Sequence, residues 1–353
     1  MKSRVAFLAV ALANSAISLA ADYTVTDLGT LGGSASSARA ISDSGLVTGA
    51  ITIGNQSHVF LYDGTMHDIG TGVGDGVNDA GMVTGTTPGA SPDDSSRVFL
   101  YDGTMHDLGP GASYGINNSG EIVLDGILGQ GFLYYGGSMH PMPLLPGGIN
   151  YAIPLAINNS GEAAGVGDAP LGYNPGAELY AFLYDGTTMH DIGTHGQTPD
   201  AVLFTSIAYG LNGHGDVVGT DTALSTGGAG ISGGFLNIGG VENAIPGIAP
   251  TGVNNSDIVV GTSTTGAAIY TLGGGLVNLD ALIAPSSGWH ITAAAAINDA
   301  GQIVGSGSFD GGPLHAVLLN PVPEPSTIAL AGFGALAMML IRWIGRQGHC
   351  TSR

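Results

Sequence analysis

Residues 296–305 read Ala-Ile-Asn-Asp-Ala-Gly-Gln-Ile-Val-Gly, and the chain contains seven variants of this phrase. Each copy has a small residue, an aliphatic anchor, Asn or a similar polar residue, a turn and a short apolar run. The aliphatic anchors are Ile41, Val77, Ile116, Ile157, Leu211, Val253 and Ile297. An internal repeat decides the architecture before any local assignment is made.

The anchors lie 36 to 54 residues apart. A period of about 40–45 residues is typical of a four-stranded propeller blade, and two-helix solenoid repeats have similar lengths. The repeats are rich in Gly, Val, Ile, Thr and Tyr and poor in Lys, Glu, Leu and Gln, which disfavours helix and favours short strands. The composition therefore indicates β blades.

The first copy shows the predicted blade. Residues 37–41, 46–51, 58–62 and 66–69 are expected to be strands, with a hairpin turn at Asp63-Gly64. The residue before each anchor is Ala or Gly in all seven copies. Small side chains are needed where the first strands of the blades converge.

The two ends of the repeat array complement each other. The seventh copy lacks a fourth strand, whereas residues 23–29 form a spare strand of the fourth-strand type. Pairing the two would remove an exposed sheet edge. The sequence therefore predicts an all-β fold, a seven-bladed β-propeller of four-stranded blades over residues 22–320, whose ring is closed by the N-terminal strand.

The charge distribution limits the partners. Of the charged residues, 26 acids but only Arg39 and Arg97 lie in the predicted propeller. Such a surface repels nucleic acid and anionic lipid headgroups.

No cofactor is expected, and weak Ca²⁺ binding is the one metal interaction left open. The single cysteine, Cys350, lies in the tail, so no disulfide or thiolate metal site is expected in the propeller.

Both termini carry targeting patterns. Lys2 and Arg4 precede an apolar run that ends in small residues, which predicts a signal peptide over residues 1–20. Near the C-terminus, Pro323-Glu324-Pro325-Ser326 precedes the apolar run 328–341. That run predicts a transmembrane helix once Trp343 and Ile344 extend it toward the length of about 20 residues that a span needs. Arg342 and Arg346 follow the run and would anchor the tail in the cytoplasm.

Residues 322–346 strongly resemble the PEP-CTERM sorting signal of Gram-negative bacteria that make extracellular polysaccharide. In that family an exosortase, a membrane cysteine transpeptidase, reads the Pro-Glu-Pro motif. The resemblance implies an exported precursor that is anchored transiently in the inner membrane and then released to the cell surface or outside the cell. Two separated arginines and a polar extension replace the usual basic cluster.

The repeats have a family resemblance of their own. Ala-Phe-Leu-Tyr at residues 181–184 and His-Ala-Val at 315–317 resemble the HAF repeats of extracellular bacterial proteins. The resemblance covers nearly all of the predicted propeller. It implies no established activity.

Residues that recur in every copy are expected to serve the fold. We interpret the Met-His-Asp segments as structural pairs on the outer strand, and the Asn-Asn and Asn-Asp pairs as Asx turns. The non-recurring residues leave four weak ligand candidates, His195, His214, Trp289 and His290. No nucleophile elbow, phosphate loop or zinc motif is present in the sequence.

The sequence thus favours an exported, non-catalytic propeller that acts as a scaffold or binding module. Exosortase is the expected partner during sorting, and exopolysaccharide or surface proteins are the expected partners afterwards. The alternative is a propeller lyase or hydrolase acting on extracellular glycan. Non-repeated His, Tyr and carboxylates that converge at one mouth of the central channel would favour this alternative. A pocket that brings the four candidate residues together with acids would strengthen it, and scattering of the four would weaken it.

Overall fold

The computed structural model of the chain describes residues 22–89, 96–126, 129–148, 150–168, 179–193, 201–225 and 230–322. Within these ranges the regular elements are 28 strands and one 3₁₀ turn at Leu279–Ala281. The all-β class is confirmed. The predicted signal peptide, the Pro-Glu-Pro segment and the C-terminal helix lie outside the described residues.

The strands form five antiparallel sheets of four strands and one sheet of eight. We number the four-stranded groups as units 1 to 7 in the order of the anchors. The N-terminal strand β1 (Tyr23–Gly29) belongs to unit 7. Unit 1 comprises β2 (Ala35–Ile41), β3 (Val47–Ile53), β4 (Gln56–Tyr62) and β5 (Met66–Thr71). Unit 2 comprises β6 (Val73–Val77), β7 (Val83–Thr87), β8 (Arg97–Tyr101) and β9 (Met105–Pro110).

The remaining units follow the same order. Unit 3 comprises β10 (Ala112–Ile116), β11 (Ile122–Asp125), β12 (Gly131–Tyr135) and β13 (Ser138–Pro141). Unit 4 comprises β14 (Ala152–Ile157), β15 (Ala163–Asp168), β16 (Leu179–Tyr184) and β17 (Met189–Asp191). Unit 5 comprises β18 (Ala201–Leu211), β19 (Val217–Ser225), β20 (Gly230–Ile238) and β21 (Val241–Ile245). Unit 6 comprises β22 (Ile248–Val253), β23 (Val259–Ser263), β24 (Gly266–Thr271) and β25 (Gly275–Asn278). Unit 7 comprises β26 (Trp289–Ile297), β27 (Ile303–Phe309), β28 (Leu314–Pro321) and β1.

Units 4 and 5 form the eight-stranded sheet because one parallel bridge, Leu179 to Thr205, joins β16 to β18. In unit 7, β1 pairs antiparallel with β28, with Tyr23 opposite Pro321 and Thr24 opposite Asn320. The outer position that the seventh repeat leaves without a strand is thus taken by the first residues that the structure describes.

The core lies between neighbouring units. Phe60 of unit 1, for example, packs in one cluster with Val304 and Leu318 of unit 7. The first strand of each unit contacts the first strands of the neighbouring units, and β26 contacts β2. A Cβ on Gly76 would lie 3.0 Å from the Cα of Gly115. The small residue before each anchor therefore allows two backbones to approach closely.

The turn between the first and second strands contains five residues in every unit, as in residues 42–46. Its asparagine stabilises the turn and also reaches the next unit. The Oδ1 atom of Asn254 accepts the N–H groups of Ser256 and Ile258 at 3.1 Å, as an Asx turn requires. Its Nδ2 donates to the carbonyl oxygen of Asn298 at 3.1 Å. The Asx-turn interpretation is confirmed, whereas the link to the next unit was not predicted.

The same link runs from unit to unit. Six buried asparagines donate to the carbonyl oxygen of the equivalent residue in the next unit at 2.9–3.1 Å. The donors are Asn78, Asn117, Asn158, Asn212, Asn254 and Asn298, and the last of them donates to Ser42. Ser42 stands where the other units have asparagine. Buried amides that are hydrogen-bonded in this way fix the spacing of neighbouring units.

The fourth residue after each anchor has a left-handed backbone. Six of these residues are glycines with φ between 75° and 85°: Gly45, Gly81, Gly120, Gly161, Gly215 and Gly301. Unit 6 has Asp257 instead, with φ 56°. Because a Cβ is disfavoured in this region, the repeat retains glycine here and Asp257 is strained.

Replacing Asp257 by glycine is expected to stabilise the protein by about 1 kcal/mol, since the left-handed conformation then carries no Cβ. Burial and the nearby Asp216 carboxylate raise the pKa of Asp257. A carboxyl with a raised folded-state pKa stabilises the fold at low pH, and this contribution is lost as pH rises through that pKa. The gain should therefore be larger at pH 7 than at pH 4, as measured by urea unfolding. Ser256→Gly in the same turn is the control and should lower the free energy of unfolding. If both variants lower the free energy of unfolding equally, the prediction is contradicted.

Candidate functional site

The two ends of the strands differ in regularity. The end that carries the five-residue turns and the hairpins such as Asp63-Gly64 is called the turn end. The opposite end is called the loop end. There, the segment between the second and third strands varies in length from unit to unit, from residues 54–55 in unit 1 to residues 169–178 in unit 4. Loops that vary on a regular scaffold are where binding residues concentrate. The loop end is therefore the place to look for a site.

A β-bulge in every first strand marks one variable position. The pairing register of the first strand shifts two residues before the anchor in all seven units. The residues at this position are Arg39, Asp75, Tyr114, Leu155, Tyr209, Thr251 and Ala295. A bulge redirects a side chain. The repeat thus holds this position in a special geometry and leaves its chemistry free to vary.

Three of the bulge residues meet in one pocket. A cavity of about 750 Å³ opens at the loop end between units 1, 2 and 3, and Arg39, Asp75 and Tyr114 line it. Its volume lies within the range of about 300–1,000 Å³ that is usual for small-molecule sites. We call this cavity the loop-end pocket.

An ion pair crosses the pocket wall. Nη1 of Arg39 donates to Oδ1 of Asp75 at 2.8 Å, and the Thr86 hydroxyl donates to Oδ2 of Asp75 at 3.2 Å. Burial raises the pKa of Asp75, although the Arg39 charge and these hydrogen bonds partly oppose the shift. The guanidinium remains half exposed, whereas the carboxylate is 13% exposed. Arg39 can therefore direct further N–H donors into the pocket.

Tyr114 supplies the third polar group. Burial, the Asp125 charge and a hydrogen bond to Asp125 raise the pKa of Tyr114 to about 12, with a smaller contribution from Asp75. The phenol is therefore protonated at neutral pH. Perturbed ionisable groups in a cleft are typical of functional sites, although ion-pair networks in scaffolds produce them too.

Three of the four residues predicted from the sequence lie in the described structure, and these three do not come together in one place. His214 is exposed in the turn of unit 5, at the turn end, where its N–H donates to Asn212. Trp289 and His290 begin β26 at the loop end. Trp289 packs beside Phe309, with ring centroids 5.6 Å apart, and His290 bonds to Asp280. His195 lies outside the described residues.

The repeated histidines have structural partners. His67, His106 and His190 bond to the hairpin aspartates Asp63, Asp102 and Asp185 at 2.7–3.0 Å. These bonds lower the pKa of each aspartate. Unit 3 has no hairpin aspartate, and His140 stacks on Tyr135 instead, at 3.9 Å. The Met-His segments thus make structural pairs, but the partner is the hairpin aspartate and not the aspartate that follows the histidine.

Neither a metal site nor a membrane span is found in the part of the chain that the structure describes. No three of its His, Cys, Asp and Glu side chains are grouped so that they could hold a metal ion. None of its helices has the length and apolar character needed to cross a bilayer.

Arg39, Asp75 and Tyr114 were not predicted as site residues. The candidates predicted from the sequence were histidines and a tryptophan, since these side chains are common in catalytic and binding sites. The sequence signal that could have indicated these site residues is the contrast between two adjacent positions of the repeat. The residue immediately before the anchor is always Ala or Gly, whereas the residue two positions before the anchor varies among the copies.

Comparison with solved structures identifies the fold as a β-propeller. The β-propeller domain of the Trilobed protease from Pyrococcus furiosus, described as having an open velcro topology, matches with a TM-score of 0.51 at 8% identity, covering 86% of this chain and 99% of that one. A gluconolactonase from Xanthomonas campestris matches at 0.38 and 15% identity, covering 86% and 90%. YCF48 bound to a D1 peptide matches at 0.47 and 11% identity, covering 86% and 96%. At these identities the likeness concerns the fold alone.

Residues 321–346 match the family model of the PEP-CTERM protein-sorting motif. The match contains Pro323, Glu324, Pro325, Ser326, Arg342 and Arg346, all of them outside the described structure. The motif marks a protein that is exported and recognised by an exosortase. Among curated proteins, none matches the chain.

Proposed function

We propose that the protein is an exported, non-catalytic binding module or scaffold, built as a closed seven-bladed propeller and sorted to the cell surface or exopolysaccharide matrix. Three contacts between the chain ends support a closed ring. They are the pairing of β1 with β28, the contact of β26 with β2, and the hydrogen bond from Asn298 to Ser42.

Residues 1–20 would direct export, residues 22–320 would form the propeller, and residues 322–346 would hold the precursor in the inner membrane until exosortase acts. Lys2 and Arg4 before an apolar run support the first segment. The sorting-motif match supports the last. The HAF-like character of the repeats is part of this proposal and rests on their sequence alone.

One observation carries the binding role. Recurrent groups with catalytic chemistry are engaged in the protein's own hydrogen bonds, whereas non-recurrent polar residues line the loop-end pocket. The enzyme alternative gains support if His195, His214, Trp289 and His290 share one pocket with acids, and it loses support if they are scattered. His214 lies at the end opposite to Trp289 and His290, so that alternative has less support.

A glycan array and a turnover assay with the full chain test this proposal. We expect binding to extracellular bacterial glycans, with and without calcium, and no release of reducing or unsaturated ends from the producer's polysaccharide. The double variant His214→Ala/His290→Ala is the control and should bind as the parent does. Turnover that this variant loses would instead establish the lyase or hydrolase alternative.

A further inference from the structure

We infer that the loop-end pocket binds a neutral oligosaccharide, whose ring hydroxyls contact Arg39, Asp75 and Tyr114. This inference rests on the proposed role as a binding module and names the ligand class and the contacting residues.

The charge balance of the pocket selects a neutral ligand. Arg39 and Asp75 compensate each other at 2.8 Å, so the wall carries a paired charge. The surrounding propeller has 26 acids and two arginines, which opposes the approach of an anionic sugar. A cationic ligand would meet one of those two arginines at the pocket wall.

The hydrogen-bonding groups suit adjacent hydroxyls of a sugar. A carboxylate offers about four acceptor positions and a guanidinium has five N–H donors, so the contacts of Asp75 and Arg39 with each other and with Thr86 leave capacity for a ligand. One sugar hydroxyl can donate to the carboxylate while its neighbour accepts from the guanidinium. Charged partners make the stronger hydrogen bonds of this kind.

The rest of the lining suits the remaining surface of a sugar ring. Val73, Pro88 and Ala112 provide apolar contacts for its C–H groups, and Asn55 and Gln56 provide amides. A concave, largely apolar lining with a few placed polar groups is the usual form of a small-molecule site.

The polar wall is held in place before any ligand binds. The Thr86 hydroxyl that donates to Asp75 also accepts the N–H of Ser113 at 3.2 Å, which ties unit 2 to unit 3. Gly72 has φ 131°, and a Cβ there would lie 2.6 Å from the carbonyl oxygen of Thr86. A wall fixed in this way loses little side-chain entropy on binding.

Calorimetric titration of the full chain in a non-glycosidic detergent tests the inference. The probes are the neutral tetrasaccharides maltotetraose, cellotetraose and mannotetraose, the anionic tetragalacturonate and the cationic glucosamine tetramer. We expect at least one neutral probe to bind, with affinity falling about tenfold or more in Arg39→Met and in Asp75→Asn. Tyr114→Phe should weaken binding by a smaller factor.

Arg97→Met is the matched control. Arg97 also pairs with an aspartate, Asp107, at 2.7 Å, but on β8 and β9 and outside the pocket lining. This variant makes the same change in net charge and should bind within about twofold of the parent. Thermal unfolding of each variant identifies any variant that fails to fold. If either Arg39→Met or Asp75→Asn fails to fold, the other still tests whether the pocket binds the probe.

Failure of the inference can be distinguished from failure of the proposed function. If the array detects glycans but Arg39→Met and Asp75→Asn bind them as the parent does, the pocket is not the site and the binding role stands. Binding of only the anionic or only the cationic probe, or of no neutral probe, overturns the ligand class. Turnover of a probe overturns the non-catalytic role, whatever the pocket variants do.

Discussion

Replacing Gly219 by alanine is expected to lower the free energy of unfolding by about 3 kcal/mol. Gly219 lies on β19 opposite Phe235, and a Cβ there would come well under 3.0 Å from both the carbonyl oxygen of Ile207 and the ring of Phe235. The carbonyl belongs to the backbone beside the bulge of β18, and Phe235 is fully buried. Neither group can yield without disturbing the sheet.

Gly233→Ala on the neighbouring strand β20 is the matched control, because a Cβ there meets nothing within 4 Å. Its free energy of unfolding should stay within about 0.5 kcal/mol of the parent. Denaturant unfolding of both variants measures the difference. If Gly219→Ala is as stable as Gly233→Ala, the close packing between the bulged strand and its neighbour is refuted.

The same crowding explains a feature that recurs in most copies of the repeat. A glycine eight residues after the anchor occurs in six units, and in each a Cβ would lie well under 3.0 Å from a first-strand carbonyl oxygen. These glycines are Gly49, Gly85, Gly165, Gly219, Gly261 and Gly305. In four units the glycine lies opposite a fully buried phenylalanine. The variant therefore tests a contact that recurs around the protein.

Linking β1 to β28 with a disulfide is expected to stabilise the protein by up to about 5 kcal/mol, because the bond closes a very long loop. Thr24 and Asn320 are direct partners, and the Cα separation of about 5.5 Å in hydrogen-bonded antiparallel pairs suits a disulfide. The variant is Thr24→Cys/Asn320→Cys with Cys350→Ser, since Cys350 is the only native cysteine. Unfolding is compared between the oxidised and reduced forms.

The single-cysteine variants are the controls and should show no difference between oxidising and reducing conditions. The proposed ring requires the bond to form within one molecule, which non-reducing electrophoresis detects. Disulfide-linked dimers would show instead that β1 pairs with another copy of the chain. Absence of any bond would remove the support that this pairing gives to a closed ring.

Most of the fold could be predicted from periodicity. In the first repeat, the predicted strands 37–41 and 58–62 fall within the observed Ala35–Ile41 and Gln56–Tyr62, and the predicted strand 46–51 begins one residue before the observed Val47–Ile53. The unvarying Ala or Gly before each anchor correctly indicated close backbone approach, as Gly76 and Gly115 show. These features are local or repeated, and so they leave a pattern in one sequence.

Contacts between units were harder to predict. The sequence around Asn254 is typical of an Asx turn. Nothing in that repeat indicates that the side-chain amide also donates a hydrogen bond to Asn298, 44 residues away. The bulges were also missed, because a shift in strand pairing depends on the partner strand and not on side-chain alternation alone.

The site was missed for a related reason. Arg39, Asp75 and Tyr114 are about as far apart in sequence as the repeats are long, and only the packing of units 1, 2 and 3 brings them into one pocket. Each residue alone is unremarkable in the sequence. Aligning the repeats and seeking the most variable position beside an unvarying one would have identified them.

The pairing of β1 with β28 has a consequence for folding kinetics. It joins residues 296 positions apart, so β1 cannot find its partner until nearly all of the chain up to Val322 has been made. Long-range strand pairing of this kind is slow, and an unpaired strand edge favours aggregation while it waits. We therefore expect the final step of folding to be the slowest, with β28 the segment most in need of protection during export.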